Sequence, residues 1–143
     1  MIGIRVLIVE DDPISARLLL LLLKDRPFSI EMAENGMSAS AMLEKAHREG
    51  MPFALIFLDI MMPVKDGQKL LAEIRNQEEQ QNIPKQARQK IIMTTALDDF
   101  ENVYQSFQNQ CDGYLVKPIL KNKLDELLDQ VLHTPATELS PES

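Results

Sequence analysis

Asp59 ends the apolar run Ala54-Leu55-Ile56-Phe57-Leu58, and Pro63 and Gly67 follow it closely. A carboxylate placed directly after a core-type strand costs free energy unless a cation or hydrogen-bond donors meet it. Alone, Asp59 reads first as a cap for the turn or for the next helix. Three other apolar runs also end in polar groups. Arg5–Val9 runs into Glu10-Asp11-Asp12-Pro13, Lys90–Thr94 into Thr95-Ala96, and Asp112–Val116 into Lys117-Pro118. If these strands are parallel, their carboxyl ends share one edge, where ligands bind in open sheets of this kind. Glu10, Asp11, Asp59, Thr95 and Lys117 then meet there.

Several carboxylates facing a single Lys make an anionic pocket, which repels phosphate unless a divalent cation enters. Few protein oxygens with room for water suit Mg²⁺, or Mn²⁺. With such a cation present, Lys117 can help hold a phosphoryl group against Asp59, and the Thr95 hydroxyl can donate to another of its oxygens. A carboxylate is a competent phosphoryl acceptor, and cationic groups stabilise the charge on the group in transfer. Glu10 and Asp11 are read as the pair facing this pocket. Asp12, just before Pro13, suits the cap of the following helix.

The elements that must position these residues alternate along the chain. Strand-like runs at 5–9, 28–33, 54–58, 90–94 and 112–116 are separated by stretches of helical spacing. The unbroken apolar runs are those of strands buried on both faces, whereas 28–33 alternates and belongs nearer an edge. Five strand-helix units predict an α/β fold, a doubly wound five-stranded parallel sheet with right-handed crossovers. Asp98 is placed to cap the helix bearing Phe100, Val103, Tyr104 and Phe107, an aromatic stripe expected to pack into the core. Asn76–Lys90 is polar and Gln-rich, and reads as a helix end plus a solvated loop remote from Asp59. His47 and His133 read as surface residues. Residues 134–143, with two prolines, read as a flexible tail after a single domain spanning 1–133.

The 143 residues carry a net charge of -7 without a run of Lys or Arg, which offers nothing to nucleic acid or to an anionic membrane. Leu18–Leu23 is too short to span a bilayer, and the N-terminus lacks a signal-peptide pattern. One cysteine, Cys111, fits a reducing, cytoplasmic setting. No general acid for work on a free substrate is evident, so the chain does not read as an enzyme beyond chemistry on itself.

Four motifs in order resemble the receiver domains of two-component response regulators. They are Val9-Glu10-Asp11-Asp12-Pro13, Leu58-Asp59-Ile60-Met61-Met62-Pro63-Val64-Lys65-Asp66-Gly67, Thr94-Thr95-Ala96 and Gly113-Tyr114-Leu115-Val116-Lys117-Pro118. The resemblance implies a flavodoxin-like receiver fold with Asp59 as phospho-acceptor. Asp11, Asp59, Glu10 (through water) and the Met61 backbone carbonyl would hold the metal. Thr95 would be the switch hydroxyl beside Ala96, and Lys117 the phosphate-binding ammonium paired with Asp59 and Asp11 in the free state. Tyr114 would be the switch aromatic, entering from outside on phosphorylation, and a cis peptide would precede Pro118. The implied partners are a sensor histidine kinase or a histidine phosphotransfer protein. A downstream protein would be met through the face of the fourth helix, fifth strand and fifth helix. The loop before Lys90 is longer than usual for the family. Two alternatives stand beside this reading: a receiver-like interaction module independent of phosphate, and a receiver cut from a larger protein.

Overall fold

The computed structural model describes residues 3–60, 67–108 and 110–137, with side-chain environments through 132. Five strands and five α-helices alternate in it: β1 (Ile4–Val9), α1 (Pro13–Leu22), β2 (Phe28–Ala33), α2 (Gly36–Arg48), β3 (Leu55–Asp59), α3 (Gly67–Gln80), β4 (Lys90–Ala96), α4 (Phe100–Phe107), β5 (Gly113–Lys117) and α5 (Lys121–Thr137). All strand pairs are parallel, in the order β2-β1-β3-β4-β5. This is the flavodoxin-like doubly wound order, whose direction of growth reverses between β1 and β3.

Side chains along a strand alternate between faces, and the core divides accordingly. Leu7, Val9, Ile56, Leu58, Ile91 and Met93 pack with α2, α3 and α4 on one face. Val6, Ile8, Leu55, Phe57, Ile92 and Leu115 pack with α1 and α5 on the other. β3 is buried at every position. β2 is an edge strand with Glu31 and Met32 exposed.

Several expectations need correction. The polar stretch after Ile74 is not simply a solvated connector. α3 continues to Gln80, a short 3₁₀ turn covers Lys85–Ala87, and both Glu78 and Gln89 are buried. Arg75 explains their burial, since it donates to Glu78 at 2.7 Å, to the Gln89 carbonyl at 3.0 Å and to Asp112 at 3.2 Å. Asp98 caps no helix: it lies inside a 3₁₀ turn, Leu97–Asp99, and α4 starts without a side-chain cap. The aromatic stripe of α4 is only partly core. Val103 is buried and Phe107 packs on the core, whereas Tyr104 is 40% exposed. His47 is half-buried, and the side chain of His133 lies outside the described residues. α5 runs to Thr137, past the expected boundary at 133, and residues 138–143 lie outside the described ones.

Candidate functional site

Parallel register brings the polar strand ends to one level. Val9 pairs with Leu58, Asp59 with Thr94, Thr95 with Val116 and Ala96 with Lys117. Glu10, Asp59, Thr95 and Lys117 therefore finish at the same edge of the sheet. Glu10, Asp59 and Thr95 are buried, and Asp11 is exposed at the rim. One carboxylate oxygen from each of Glu10, Asp11 and Asp59 lies within 4.8 Å of the others.

The first loop divides its three acids by backbone direction. Asp12 caps α1, accepting from the Ile14 and Ser15 amides at 3.3 Å and from the Ser15 hydroxyl at 2.7 Å. The Ser15 hydroxyl is the main reason its carboxyl is held below the usual range. Glu10 turns inward and accepts from the Asp12 amide at 3.1 Å through Oε2. Its Oε1 accepts from Lys117 Nζ at 2.8 Å, and Asp59 Oδ2 lies 3.5 Å from the same ammonium. The free-state partners of Lys117 are thus Glu10 and Asp59. The expected pairing with Asp11 is not made, because Asp11 points to the exposed rim.

Burial pushes the Glu10 carboxyl up, and Asp59 pushes it the same way, against the pull of Lys117 and the Asp12 amide. Burial alone would lower Lys117, but Glu10 and Asp59 outweigh it and raise the ammonium. Asp59 raises both groups, which is the effect of added negative charge beside them, and a further cation would relieve it. The donors are hard carboxylate oxygens, the set that suits Mg²⁺. The residues present fit that ion.

Thr95 is 1% exposed, and its hydroxyl donates to the Ala96 carbonyl at 3.3 Å. Tyr114 stacks edge-on against Phe100 with ring centroids 5.9 Å apart, and lies 5.4 Å from Tyr104. Its hydroxyl is buried without a hydrogen-bond partner. The Cys111 thiol beside it donates to the Phe107 carbonyl at 3.6 Å. Burial, then Cys111, push the phenol well above its usual value. In this state the half-buried ring encloses its hydroxyl beside Cys111 and Tyr104. The peptide between Lys117 and Pro118 is cis, as expected. Met61 lies outside the described residues, so the structure does not place its carbonyl.

Gly67, noted in the sequence only for its place after Asp59, supports the site directly. A Cβ there would stand 2.6 Å from the Asp59 carbonyl oxygen and 2.7 Å from Ile60 Cα. Its amide donates to the Ile60 carbonyl at 3.2 Å. The start of α3 thus lies directly against the end of β3. The signal available in sequence was a Gly eight positions after the carboxylate, at a helix start.

The profile of the response regulator receiver domain matches residues 6–129. The chain belongs to that family. Among curated relatives, this receiver is 31% identical to the transcriptional regulatory protein AruR of Pseudomonas aeruginosa, over 93% of this chain and 52% of AruR. It is 32% identical to the chemotaxis protein CheY-3 of Vibrio cholerae, over 90% of this chain and 95% of CheY-3. The receiver thus spans about half the length of AruR and nearly all of CheY-3. Among solved structures, the receiver domain of the Saccharomyces cerevisiae regulator Ssk1 matches with a TM-score of 0.75 and 25% identity. That match covers 99% of this chain and 97% of the other, and was crystallised with the histidine phosphotransfer protein Ypd1. Receiver domains are signalling modules. No helix among the described residues is long and apolar enough to cross a membrane.

Proposed function

We propose that this receiver accepts a phosphoryl group on Asp59 and changes a protein-binding surface in response. One observation carries the reading: three carboxylates within reach of one ion stand beside Lys117 at the carboxyl edge of the sheet. Glu10, Asp11 and Asp59, with the Met61 carbonyl, would hold Mg²⁺, whose charge would stabilise the oxygens of the transferring group. The donor is a phosphohistidine on a sensor kinase or a phosphotransfer protein. An Asp59 oxygen attacks phosphorus, the phosphorus–nitrogen bond of the donor breaks, and the freed imidazole takes up a proton. The product is an acyl phosphate. Lys117 exchanges Glu10 for a phosphoryl oxygen, and the Thr95 hydroxyl leaves the Ala96 carbonyl to donate to another.

Two exposed surfaces support the partners. Ile14, Leu18 and Leu21 form an exposed apolar line along α1 beside the site, a fit for docking a donor. The Ypd1 complex of the Ssk1 receiver makes a phosphotransfer protein a natural class of donor. On the α4-β5-α5 face, a groove of about 810 Å³ is lined by Leu97, Phe100, Tyr114, Val116, Leu120 and Leu127. That groove is the proposed output surface, with Tyr114 as its link to Thr95. The receiver unit extends through the end of α5 at Thr137. The protein works in the cytoplasm, engages neither nucleic acid nor membrane through this domain, and acts as catalyst only on its own phosphorylation and dephosphorylation.

The test is intact mass after incubation with a small phosphodonor and Mg²⁺. The expected result is a gain of one phosphoryl group that disappears with EDTA and in Asp59→Asn. No gain in the wild type would instead support a phosphate-independent interaction module.

A further inference from the structure

The unusual stretch before β4 does something the phosphoryl site does not use. At the sheet edge opposite Asp59, Arg75, Lys85, Arg88 and Lys90 line a cavity of about 290 Å³, in a chain whose net charge is -7. Arg75 is committed to Glu78 at 2.7 Å and Asp112 at 3.2 Å. Lys85, Arg88 and Lys90 make no ion pair among the described residues. Arg88 donates its Nε to the Ile83 carbonyl at 3.0 Å, which orients the guanidinium and leaves its two terminal nitrogens available. Counting Glu78 and Asp112 against the four cations leaves two positive charges.

Gln89 is the second, independent observation. It lies between two of these cations, is only 7% exposed and lines the same cavity. Its backbone is fully engaged: the amide donates to Glu78 at 2.8 Å, and the carbonyl accepts from Arg75 at 3.0 Å. Its side-chain Nε2 is buried and meets no acceptor. A buried donor left unmet is costly and calls for a partner.

We propose that this cavity binds a compact phosphate-bearing dianion. Lys85, Arg88 and Lys90 supply the counter-charge, and Gln89, by turning its side-chain amide toward the ligand, donates through Nε2. A phosphate monoester at neutral pH carries nearly two negative charges on three clustered acceptor oxygens. Those oxygens accept from a guanidinium fork, an ammonium and an amide arriving from different directions. An acidic peptide spreads its charge along an extended chain and cannot present it all to one nearly buried amide. Nucleic acid and anionic membranes are opposed by the acidic remainder of the surface. The site is independent of Asp59 and of any metal.

The test uses the whole chain, labelled with ¹⁵N and kept in EDTA so that the phosphoryl pocket holds no divalent ion. Inorganic phosphate, AMP and adenosine are titrated separately, with sodium chloride as the ionic-strength control. Saturable shifts are expected for phosphate and AMP at the amides of Gln89, Lys90 and Asp112 and at the Gln89 side-chain NH₂. Adenosine and chloride should leave these signals in place. Tighter binding of AMP than of phosphate would assign a nucleotide, and equal binding the phosphate group alone. In Lys85→Gln/Arg88→Gln, whose amide spectrum reports its own folding, affinity should fall by roughly tenfold or more. Absence of saturation, shifts matched by chloride, or equal affinity in the folded double variant would overturn the proposal.

Discussion

Glu10, Asp11 and Asp12 are three successive acids with three different surroundings. Glu10 is buried against Lys117, Asp11 stands at the rim within reach of Asp59, and Asp12 is tied to the first turn of α1. Titrating Mg²⁺ should separate them. Asp11→Ala is expected to abolish measurable binding. Asp12→Ala should keep it while lowering the thermal midpoint, through loss of a helix cap. Equal loss of Mg²⁺ affinity in both would contradict the division. Lys117 reaches Glu10 and Asp59 with one compact charge, so Lys117→Arg should not restore the phosphorylation lost in Lys117→Ala. The broad planar guanidinium cannot occupy the position between two carboxylates that a point-like ammonium does. Full phosphorylation of the Arg variant, read by intact mass, would count against this.

Among the elements, α3 has the tightest tie to the site. Its first residue lies so close to the Asp59 carbonyl that even a methyl group must push the end of β3 or the helix aside. Gly67→Ala should destabilise the fold by about 1–3 kcal/mol, the usual range for overpacking a tight contact. It should also slow phosphorylation, because the displaced backbone is that of the acceptor itself. Urea denaturation measures the first effect, and mass-resolved phosphorylation at saturating Mg²⁺ the second. A variant of wild-type stability would show that α3 yields without cost.

Across the whole molecule, the edge opposite the site is held by Arg75. It joins α3 to the start of β4 and to the loop before β5, through Glu78, Gln89, Gln110 and Asp112. Asp112 in turn accepts from the Ile91 amide at 2.8 Å. Arg75→Ala would leave the Glu78 carboxylate buried without its cation, a loss on the order of 3–5 kcal/mol for pairs of this kind. The partner variant Arg75→Met/Glu78→Met should recover part of that loss, since it removes both charges and keeps apolar volume, although the Gln89 amide and carbonyl then lose their partners. Thermal unfolding of the two variants checks this; a double variant no more stable than Arg75→Ala would place the stability elsewhere.

The amino-acid sequence by itself determined the alternation of strands and helices, the parallel sheet and the residues gathered at its carboxyl edge. Apolar runs ending in Glu10, Asp59, Thr95 and Lys117 are local patterns, and parallel register converts them into one site without further information. The Asp12 cap was equally local. Other features depended on tertiary structure. Lys117 chose Glu10 over Asp11 because the first loop turns one carboxylate inward and the other to the rim. Tyr114 buries its hydroxyl because Phe100 and Tyr104, distant in sequence, close over its ring. The polar segment after Ile74 read as solvated because polarity predicts exposure. Arg75 overrides that by bringing a cation to Glu78 and ordering the chain up to Gln89. Charge compensation between side chains from separate elements has no period along the sequence, so only the folded arrangement decides it.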